Sequence, residues 1–417
     1  MSEIIKNIKG TKDILGDETN LWQFIESEIH RFMNLYGYDE IRTPKFENSS
    51  LFNRSIGNDT DIVSKEMYSW EDQGGNNLTL KPEVTASVVR AYIQHNLGKK
   101  NPLNKLYYID SLFRRERPQK GRYRQFEQFG VEAIGSENPE QDAEVISLAY
   151  NFYKNMGIKN LKLKINSIGS KEIREEYKNS LKSFLKPNLD NLTSVSQKRF
   201  ATNPLRILDT KVESEIEIIK NAPRIIDFLS EKDKEHFDKV LLYLDTLGIK
   251  YKIDDYLVRG LDYYCKTVFE IQSNHLGAQS ALCGGGRYDY LIEDLGGIQT
   301  PAIGFAAGIE RLILAMNHDD SRFKKSADIY MVTIGEDSIS MGLKISNSIR
   351  LNTKLAVTCD MQRRSLKAQM KEANKLNAKY TIIIGDNELR ASKAVIKNMD
   401  SGEQKNVHFD KINSFFK

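Results

Sequence analysis

Positive charge is concentrated in one short stretch of this 417-residue chain, the eleven residues from Arg114 to Arg124. They read RRERPQKGRYR, six cations and a single acid, Glu116, between two apolar runs. Guanidinium groups present a planar fork that matches phosphate oxygens, so such a loop is suited to binding phosphate. The alternative is an ordinary solvated loop. Arg114 argues against it, because this residue directly follows Leu112 and Phe113, where a charge without a partner would be costly.

A second group of polar residues, RGLDYY, spans 259–264. Arg259 cannot lose its proton in a protein, so it would act as an electrostatic stabiliser of charge on phosphoryl or acyl oxygens and not as a base. If the segment is a strand, alternation places Arg259 and Tyr263 on one face and Asp262 and Tyr264 on the other. A purely structural Arg–Asp pair with core tyrosines explains the same residues equally well.

Two turns complete the candidate site. AGIER, at 307–311, lies where a strand pattern changes to a helix pattern. A nucleotide can approach the backbone at such a junction, and Arg311 can stack on a base or reach a phosphate. TLKPEVT, at 79–85, places Glu83 at a similar turn, either as an acid favoured by the helix dipole or as a ligand for an ammonium group. Neither AGIER nor GGGRYD, at 284–289, fits the Walker or the dinucleotide-binding pattern.

The sequence gives no support for metal or disulfide chemistry. The six histidines are scattered without HxxxH or HExxH spacing, and the three cysteines form no CxxC pair. No apolar run suits a signal peptide or a membrane span, which favours a cytoplasmic protein with no membrane partner. The net charge is only +4, but residues 328–417 carry 15 Lys and Arg against 10 Asp and Glu. The basic excess therefore lies in the C-terminal quarter.

The elements that must position these residues follow from periodicity. Apolar residues at helical spacing predict helices at 17–36, 84–97 and 142–156. Alternating patterns predict two strands, at 106–116 and 124–135, joined as a hairpin by the basic loop. The densest cluster of cations would therefore project from the end of a sheet.

The rest of the chain divides into three parts. Residues 171–249 are charge-rich and helical in pattern, which predicts a helical insertion. Strand signals resume at 258–273, and 301–317 begins as a strand and ends as a helix. In 328–417, β-branched runs alternate with amphipathic helices, which predicts βαβ units and a separate α/β domain with a mostly parallel sheet.

Read in order, these segments resemble the class II aminoacyl-tRNA synthetases and, among them, the histidyl-tRNA synthetase family. The class II motif order is present in the helix and strand that end at Pro44, in FRRE and RYRQFEQFG within 113–130, and in GFAAGIERL at 304–312. RGLDYYCKTVFE at 259–270 and ALCGGGRYDYLIEDLGG at 281–297 are similar to peptides peculiar to this family. KGTKDIL at 9–15 and TLKPEVTASVVRAY at 79–92 are similar to further family segments.

The resemblance implies an α+β catalytic core, residues 1–170 and 250–320, with a six-stranded antiparallel sheet flanked by helices. It implies a helical insertion at 171–249 and an anticodon-binding α/β domain at 328–417. The implied reaction has two steps, in which histidine and ATP form histidyl-adenylate and histidine then passes to the 3′ end of tRNA(His). The implied partners are histidine, ATP with Mg²⁺, tRNA(His) and a second copy in a homodimer.

The resemblance also implies a role for each matching residue. The catalytic cations at the α-phosphate would be Arg114 and Arg259. The ATP site would consist of Arg114, Glu116, Arg311 and, as the stack for adenine, Phe126. The histidine site would consist of Glu83, Thr85, Gln128, Glu132, Tyr263 and Tyr264. The contacts to the acceptor end of the tRNA would be Arg117, Gln119 and Arg122.

Selectivity follows from the groups that would meet the imidazole ring. Glu132 and Tyr264 would face its two nitrogens, one as an acceptor and the other as a donor or acceptor. An amino acid without ring nitrogens would leave both groups unpaired, so its rejection would need no editing site. Lys81 and Val84 stand where the family usually has Arg and Gly, which leaves the backbone beside Glu83 open.

Two alternatives concern the whole molecule. A non-catalytic regulatory subunit of ATP phosphoribosyltransferase would keep the same fold but lose the catalytic arginines or the anticodon domain, and this chain has both. At the first class II motif, Ile41, Phe46, Leu51 and Phe52 either cover a partner subunit or belong to the core.

Overall fold

The structure is a computed structural model that describes residues 4–57, 60–119, 121–274, 280–316 and 327–416. These residues form two compact units, one with the described residues up to 316 and one with residues 327–416. The first unit contains every site residue predicted above. The second is the basic C-terminal quarter.

The strands of the first unit are β1 (Asp39–Glu40), β2 (Phe46–Asn48), β3 (Tyr68–Glu71), β4 (Asn77–Leu80), β5 (Asn104–Phe113), β6 (Gln125–Ile134), β7 (Leu161–Ser167), β8 (Tyr251–Ile253), β9 (Cys265–Ser273), β10 (Ala281–Arg287) and β11 (Ala302–Gly308). Its helices are α1 (Asp17–Leu35), α2 (Ser49–Ile56), α3 (Thr85–Gln94), α4 (Leu97–Lys100), α5 (Pro139–Asn155), α6 (Lys171–Leu185), α7 (Ser194–Thr202), α8 (Glu213–Ile219), α9 (Glu231–Thr246), α10 (Leu291–Asp294) and α11 (Ile309–Ala315).

A mixed sheet in the order β1-β5-β6-β11-β10-β9-β7-β8 organises this unit. The six inner strands pair antiparallel, as the resemblance implies, and a short parallel strand extends each edge. The predicted hairpin is confirmed: β5 and β6 pair from Asn104 opposite Ile134 to Phe113 opposite Gln125. Because this pairing stops at Phe113, the basic loop leaves the end of the sheet.

Helix α5 packs across one face of the sheet, and α1 packs on α5. Phe152 of α5 joins the layers, since its ring centroid lies 4.9 Å from that of Phe129 on β6 and 5.6 Å from that of Phe32 on α1. Side chains alternate along a strand, so Gln128 and Glu132 point to the opposite face from Phe129. The face away from α5 is therefore the one that carries the site.

Residues 171–249 contain helices and no strand, as the sequence predicts. Beside α6 to α9 they include 3₁₀ turns at Lys186–Asn191, Pro204–Ile207 and Ile225–Phe228. The buried apolar residues between Tyr177 and Ile225 belong to the same hydrophobic cluster as Tyr108, Leu112 and Val268 of the central sheet. The insertion is thus packed against the sheet and shares its core.

The segment 258–264 is not a strand, which corrects the strand pattern predicted for 258–273. It consists of bends and a turn, and β9 begins only at Cys265. The predicted alternation of Arg259 and Tyr264 onto opposite faces is wrong, because the guanidinium of Arg259 lies over the Tyr264 ring, 6.0 Å from its centroid.

β2, β3 and β4 form a separate, small antiparallel sheet in the order β2-β4-β3. The four apolar residues at the first class II motif, Ile41, Phe46, Leu51 and Phe52, differ in burial. Leu51 and Phe52 are buried in a core cluster, and Ile41 is partly buried. Phe46 is 51% exposed and its ring lies 6.0 Å from that of Trp70, which is 41% exposed.

The second unit contains β12 (Ile329–Thr333), α12 (Glu336–Thr353), β13 (Val357–Cys359), α13 (Leu366–Lys375), β14 (Tyr380–Ile384), α14 (Asp386–Ala391), β15 (Lys393–Asn398), β16 (Gln404–His408) and α15 (Ile412–Phe415). Its sheet has the order β13-β12-β14-β15-β16. The predicted βαβ units give the parallel pairs of β12 with β13 and β14. β15 pairs antiparallel with β14, across a connection that contains α14, and with β16, across a short turn, so the sheet as a whole is mixed.

Candidate active site

A cleft opens at the ends of β6, β10 and β11, on the face of the sheet away from α5. Its volume is about 730 Å³ including the part open to solvent, within the range of small-molecule sites. Residues from four separate stretches of sequence meet there, among them Arg114, Gln128, Arg259 and Arg311. The structure therefore brings the two predicted catalytic arginines to one cavity.

Arg114 follows the last residue of β5 and is held in place by its neighbours. Its Nε donates to the carbonyl of Pro82 at 2.8 Å, and its guanidinium lies 5.3 Å from the centroid of the Phe126 ring. Glu116 lies 3.8 Å from Nη1, and 20% of the Arg114 side chain is exposed. The rest of the guanidinium remains available to an anion in the cleft.

Arg259 reaches the cleft from the 258–264 loop. Its Nη1 donates to Glu270 at 3.0 Å. Burial opposes its charge, but Tyr264 and Glu270 outweigh that effect and raise the pKa of Arg259 above its usual value. A Cβ at Gly284 would lie 2.0 Å from Nη2, so only glycine leaves room for this guanidinium against β10. The positive charge is permanent and its position is fixed by the backbone.

One end of the cleft, where the resemblance implies the ATP site, contains Glu116, Phe126, Glu310 and Arg311. Nη1 of Arg311 donates to the carbonyl of Ala281 at 2.7 Å, while burial lowers the pKa of this arginine. Glu310 accepts the backbone N–H of Glu127 at 2.9 Å, and burial raises its pKa to about 7. A flat apolar ring and a neighbouring guanidinium suit a planar base.

A buried group of polar residues lies beside the cleft, centred on Glu132. Thr85 Oγ1 donates to one of its carboxylate oxygens at 2.7 Å, and the hydroxyl of Tyr288 donates to the other. Burial raises the pKa of Glu132 to about 8. A Cβ at Gly304 on β11 would lie 2.0 Å from the same carboxylate, so only glycine at this position leaves room for Glu132.

Glu83 is 4% exposed and lies just before α3, where it accepts the backbone N–H of Ala86 at 2.9 Å. It therefore caps the helix, as one of the two readings of this turn predicts. Burial raises the pKa of Glu83. Its hydrogen bonds from the backbone of Thr85 and Ala86 therefore stabilise the ionised carboxylate only in part. An added ammonium group would stabilise the ionised carboxylate, and the two readings do not exclude each other.

Three tyrosines surround Glu132. The ring centroid of Tyr263 lies 4.7 Å from that of Tyr264 and 5.7 Å from that of Tyr288. Tyr288 donates to Glu132, whereas Tyr264 lies beside Arg259. Tyr108 is 1% exposed, and its hydroxyl has no hydrogen-bond partner among the described residues. A bound molecule with a polar atom at this point would satisfy it.

Tyr288 and Tyr108 are buried phenols near Glu132 that sequence reasoning did not name. Tyr288 stands inside the GGGRYD segment, which was singled out for its glycines and not for its phenol. Tyr108 stands inside an apolar strand, where a tyrosine is normally part of the core. For Tyr288 the signal was its place in a family segment. For Tyr108 the sequence contains none.

The basic loop is divided between the cleft and its surroundings. Arg117 and Gln119 are exposed and lie outside the cavity. Arg122 lines the cleft instead and lies 3.2 Å from Glu116. Its backbone exchanges two hydrogen bonds with Gln119, 3.1 and 2.8 Å long. This turn places Arg122 beside Glu116 in the cleft, whereas the sequence predicted a contact outside it.

The two departures from the family pattern beside Glu83 are accommodated locally. Lys81 is fully buried and forms an ion pair with Asp110, and its Nζ donates to Thr43 Oγ1 at 2.9 Å. Val84 has ordinary right-handed helical angles, φ −104° and ψ −30°, so nothing at this position requires glycine. Neither residue displaces Glu83.

In the part of the chain that the structure describes, no three His, Cys, Asp or Glu side chains gather in a way that could hold a metal ion. Within the same residues, no helix is both long and apolar enough to cross a membrane.

Comparison with known proteins covers nearly the whole chain. Residues 10–312 match the family model described as histidyl-tRNA synthetase, and residues 328–417 match that of an anticodon binding domain. Histidine–tRNA ligase of Staphylococcus aureus (strain JH9) is 46% identical over 420 residues, 99% of this chain and 100% of that protein.

Solved structures of the same family have a similar fold. The crystal structure of apo histidyl-tRNA synthetase from S. aureus matches with a TM-score of 0.83 and 41% identity, over 99% of this chain and 100% of that one. A Bacillus halodurans structure described as an ATP phosphoribosyltransferase regulatory subunit/histidyl-tRNA synthetase matches with a TM-score of 0.67 over 92% of this chain and 99% of that one. At 22% identity this second likeness concerns the fold alone.

Proposed function

Because the chain belongs to the histidyl-tRNA synthetase family and is a histidine–tRNA ligase, we propose a role in that reaction for each group in the cleft. A carboxylate oxygen of histidine attacks the α-phosphorus of ATP, and pyrophosphate leaves. A hydroxyl at the 3′ end of tRNA(His) then attacks the histidyl carbonyl, and AMP leaves. The full-length match at 46% identity favours this ligase over the regulatory subunit.

In the proposal, Arg114 and Arg259 hold the α-phosphate from two sides. The single observation that carries it is their presence in one cleft although they come from distant parts of the chain. Negative charge increases on the non-bridging oxygens as the α-phosphorus becomes five-coordinate, and two fixed guanidinium groups stabilise that charge without moving. Neither arginine transfers a proton.

The nucleotide lies along the cleft with adenine on Phe126 and next to Arg311. Glu116 belongs to this end, where it pairs with Arg114 and Arg122 and so sets the spacing of the two cations. ATP is a substrate of the family, and Mg²⁺ enters with its phosphates as part of that substrate. Binding energy from the base then orients the α-phosphate towards the amino acid.

Histidine occupies the polar group around Glu132. Glu83 and Gln128 take its ammonium and carboxylate region, with Thr85 beside them. Glu132 meets one ring nitrogen, and Tyr264, supported by Tyr263, meets the other. The low exposure of Glu132, 1%, supports this assignment, because a buried carboxylate strongly favours a ligand that carries a matching N–H group.

The proposal extends to larger partners. Residues 1–170 and 250–320 form the catalytic core, 171–249 the helical insertion and 328–417 the anticodon-binding domain. The exposed Arg117 and Gln119, with Arg122 at the cleft mouth, contact the acceptor end of the tRNA. The protein acts in the cytoplasm as a homodimer, and the exposed Phe46 and Trp70 are the apolar residues offered for subunit contact.

ATP–pyrophosphate exchange against all twenty amino acids tests the function, and exchange with histidine alone is expected. Arg114→Ala and Arg259→Ala should each lower exchange by orders of magnitude while the circular dichroism spectrum stays that of the folded protein. Normal exchange in both variants would overturn the roles given to these arginines. Charging of tRNA(His) tests the second step in the same preparation.

A further inference from the structure

The 258–264 loop carries two groups of the proposed mechanism, Arg259 and Tyr264, yet its backbone has little support of its own. Among the described residues, none of the backbone–backbone hydrogen bonds involves 258–264. A segment without such bonds relies on side chains from elsewhere to fix its conformation. The position of Arg259 in the cleft must therefore be decided by residues outside the loop.

Glu270 on β9 holds the guanidinium of Arg259, whereas the side chains that hold the loop backbone belong to the helical insertion. Arg206, in the Pro204–Ile207 turn, donates from Nη2 to the carbonyl of Gly260 at 2.7 Å. Arg174, in the first part of α6, donates from Nη1 to the carbonyls of Asp262, at 3.0 Å, and of Tyr264. Two guanidinium groups thus hold three carbonyls, on alternate residues, of a seven-residue loop.

A third contact fixes the middle of the loop. Asn203, which precedes the same turn as Arg206, donates from Nδ2 to Oδ1 of Asp262 at 2.7 Å. Burial raises the pKa of Asp262, and Arg206 and Arg174 act in the opposite direction. The two arginines therefore also stabilise the ionised carboxylate to which Asn203 donates.

The arginines are themselves anchored in the insertion. Arg199 donates from Nη1 to the carbonyl of Arg206 at 3.2 Å. Three residues beyond Arg174 on α6, Tyr177 is fully buried and donates to the carbonyl of Pro223 at 2.7 Å. The loop is thus tied to a packed part of the insertion and not to mobile side chains.

We propose that Arg174 and Arg206 are positioning residues for histidine activation, and that the helical insertion holds the catalytic loop in its active conformation through them. The inference rests on the roles proposed above for Arg259 and Tyr264. Neither Arg174 nor Arg206 touches a substrate in this arrangement. Each acts by fixing the backbone from which Arg259 reaches the α-phosphate and Tyr264 the imidazole.

The position of a catalytic cation matters more than the stability of the loop. A displacement of about 1 Å in a reacting geometry costs about 10²-fold in rate. Loss of both guanidinium groups frees three carbonyls at once, and the loop can then move towards solvent. Phe126 and Arg311 lie on other elements, so nucleotide binding should change little.

The test is a single-turnover measurement of histidyl-adenylate formation with saturating ATP and histidine, on full-length Arg174→Gln, Arg206→Gln and the double variant. The expected result for the double variant is a rate constant lowered about 10²-fold at an unchanged burst amplitude, with an unchanged KM for ATP and a raised KM for histidine. A merely structural role would lower the amplitude, because part of the protein would be unfolded, and leave the rate constant as it was.

Two further variants complete the design. Arg224→Gln is the matched control, since Arg224 lies in the same insertion and pairs with Asp227 at 2.7 Å and with Asp255 at 3.9 Å, and its guanidinium has no hydrogen bond or ion pair to 258–264 among the described residues. Arg259→Ala reports on the underlying function. If Arg259→Ala retains full activity, the role of Arg259 itself is wrong. If only Arg259→Ala is inactive and the double variant has the wild-type rate constant, the positioning role is wrong. Should the double variant fail to fold, the rate constant of Arg206→Gln tests the positioning role instead, because this variant removes only one hydrogen bond of a half-buried side chain. A lowered rate constant would then support the role, and the wild-type rate constant would contradict it.

Discussion

Replacement of Glu132 by Gln removes the carboxyl group at the centre of the proposed histidine pocket while preserving its shape. Both carboxylate oxygens of Glu132 already accept a hydroxyl, from Thr85 and from Tyr288. An amide offers one oxygen and one NH₂, so in Glu132→Gln one of these hydroxyls faces a donor. The variant loses that bond as well as the charge-assisted bond to the imidazole.

The magnitude follows from these two contacts. Hydrogen bonds to a charged group contribute about 1.5–3 kcal/mol each, and part of the loss is recovered by rearrangement of the hydroxyls. A total of about 3–4 kcal/mol in transition-state binding corresponds to a drop of about 10²–10³-fold in kcat/KM for histidine. The KM for ATP should not change, because no ATP group meets Glu132 in the proposed arrangement.

The pH dependence of kcat/KM for histidine gives a second, independent test of the role of Glu132. The pKa of Glu132 is raised from its ordinary 4.5 to about 8, and that of free imidazole is about 6.5. Between these values the carboxyl group and the imidazole hold one proton between them, which is the state that binds. In the wild type, kcat/KM for histidine should fall above pH 8, where the pair has lost its proton. In Glu132→Gln this upper limb should disappear.

The free energy of unfolding should also depend on the raised pKa of Glu132. The folded state retains a proton on Glu132 that the unfolded state has lost between pH 4.5 and 8, so this residue makes the protein less stable as pH rises through that window. At 1.4 kcal/mol per pKa unit, the effect amounts to about 5 kcal/mol above pH 8. Glu132→Gln should therefore gain unfolding free energy relative to the wild type as pH rises.

The assay is ATP–pyrophosphate exchange at varied histidine concentration from about pH 5.5 to 9.5, with urea unfolding of the ligand-free protein at the same pH values. Glu127→Gln is the matched control, because Glu127 lies on the same strand, points to the other face and is half-buried. A Glu132→Gln variant with the wild-type KM for histidine, or one that keeps the upper limb of the pH profile, would refute the reasoning.

Three other results are expected. Gly304→Ala would bring a Cβ to 2.0 Å from the Glu132 carboxylate, so the KM for histidine in exchange should rise about 10²-fold or more, and an unchanged KM would show that Glu132 lies elsewhere when histidine binds. Arg287→Met removes a fully buried guanidinium that lies 2.6 Å from Asp142 and 3.2 Å from Asp289, and urea titration should show a loss of about 3–5 kcal/mol, whereas a loss below about 1 kcal/mol would contradict the importance of this network. The KM for tRNA(His) in charging should rise steeply between about 50 and 200 mM salt while histidine exchange changes little, and equal salt dependence of the two would argue against phosphate contacts by the basic regions.

Much of the fold was predictable because local patterns encode it. The helix at 17–36, the β5–β6 hairpin and the change from strand to helix near Gly308 each follow from the spacing of apolar residues and from turn residues. The parallel part of the C-terminal sheet follows from its alternation of strand and helix. The antiparallel strands β15 and β16 at its edge were not predicted from the sequence.

Predictions failed or stayed incomplete where distant residues decide the structure. The alternation expected at 258–264 was wrong because three of its carbonyls bond to Arg174 and Arg206 and not to a neighbouring strand. Tyr288 was overlooked because its partner, Glu132, lies far away in sequence. Lys81 was an open question until its ion pair with Asp110 placed it in the core.

The sequence by itself determined which chemical groups are present, and their order along the chain identified the family. Arg114, Arg259 and Glu132 could be named in this way, because a guanidinium or a carboxylate keeps its chemistry wherever it lies. Only the tertiary structure decided that both arginines line one cleft, that burial raises the pKa of Glu132 to about 8, and that Arg206 of the insertion bonds to a carbonyl of the 258–264 loop. Distance, burial and hydrogen bonding between remote residues depend on how the chain packs, and local sequence does not specify them.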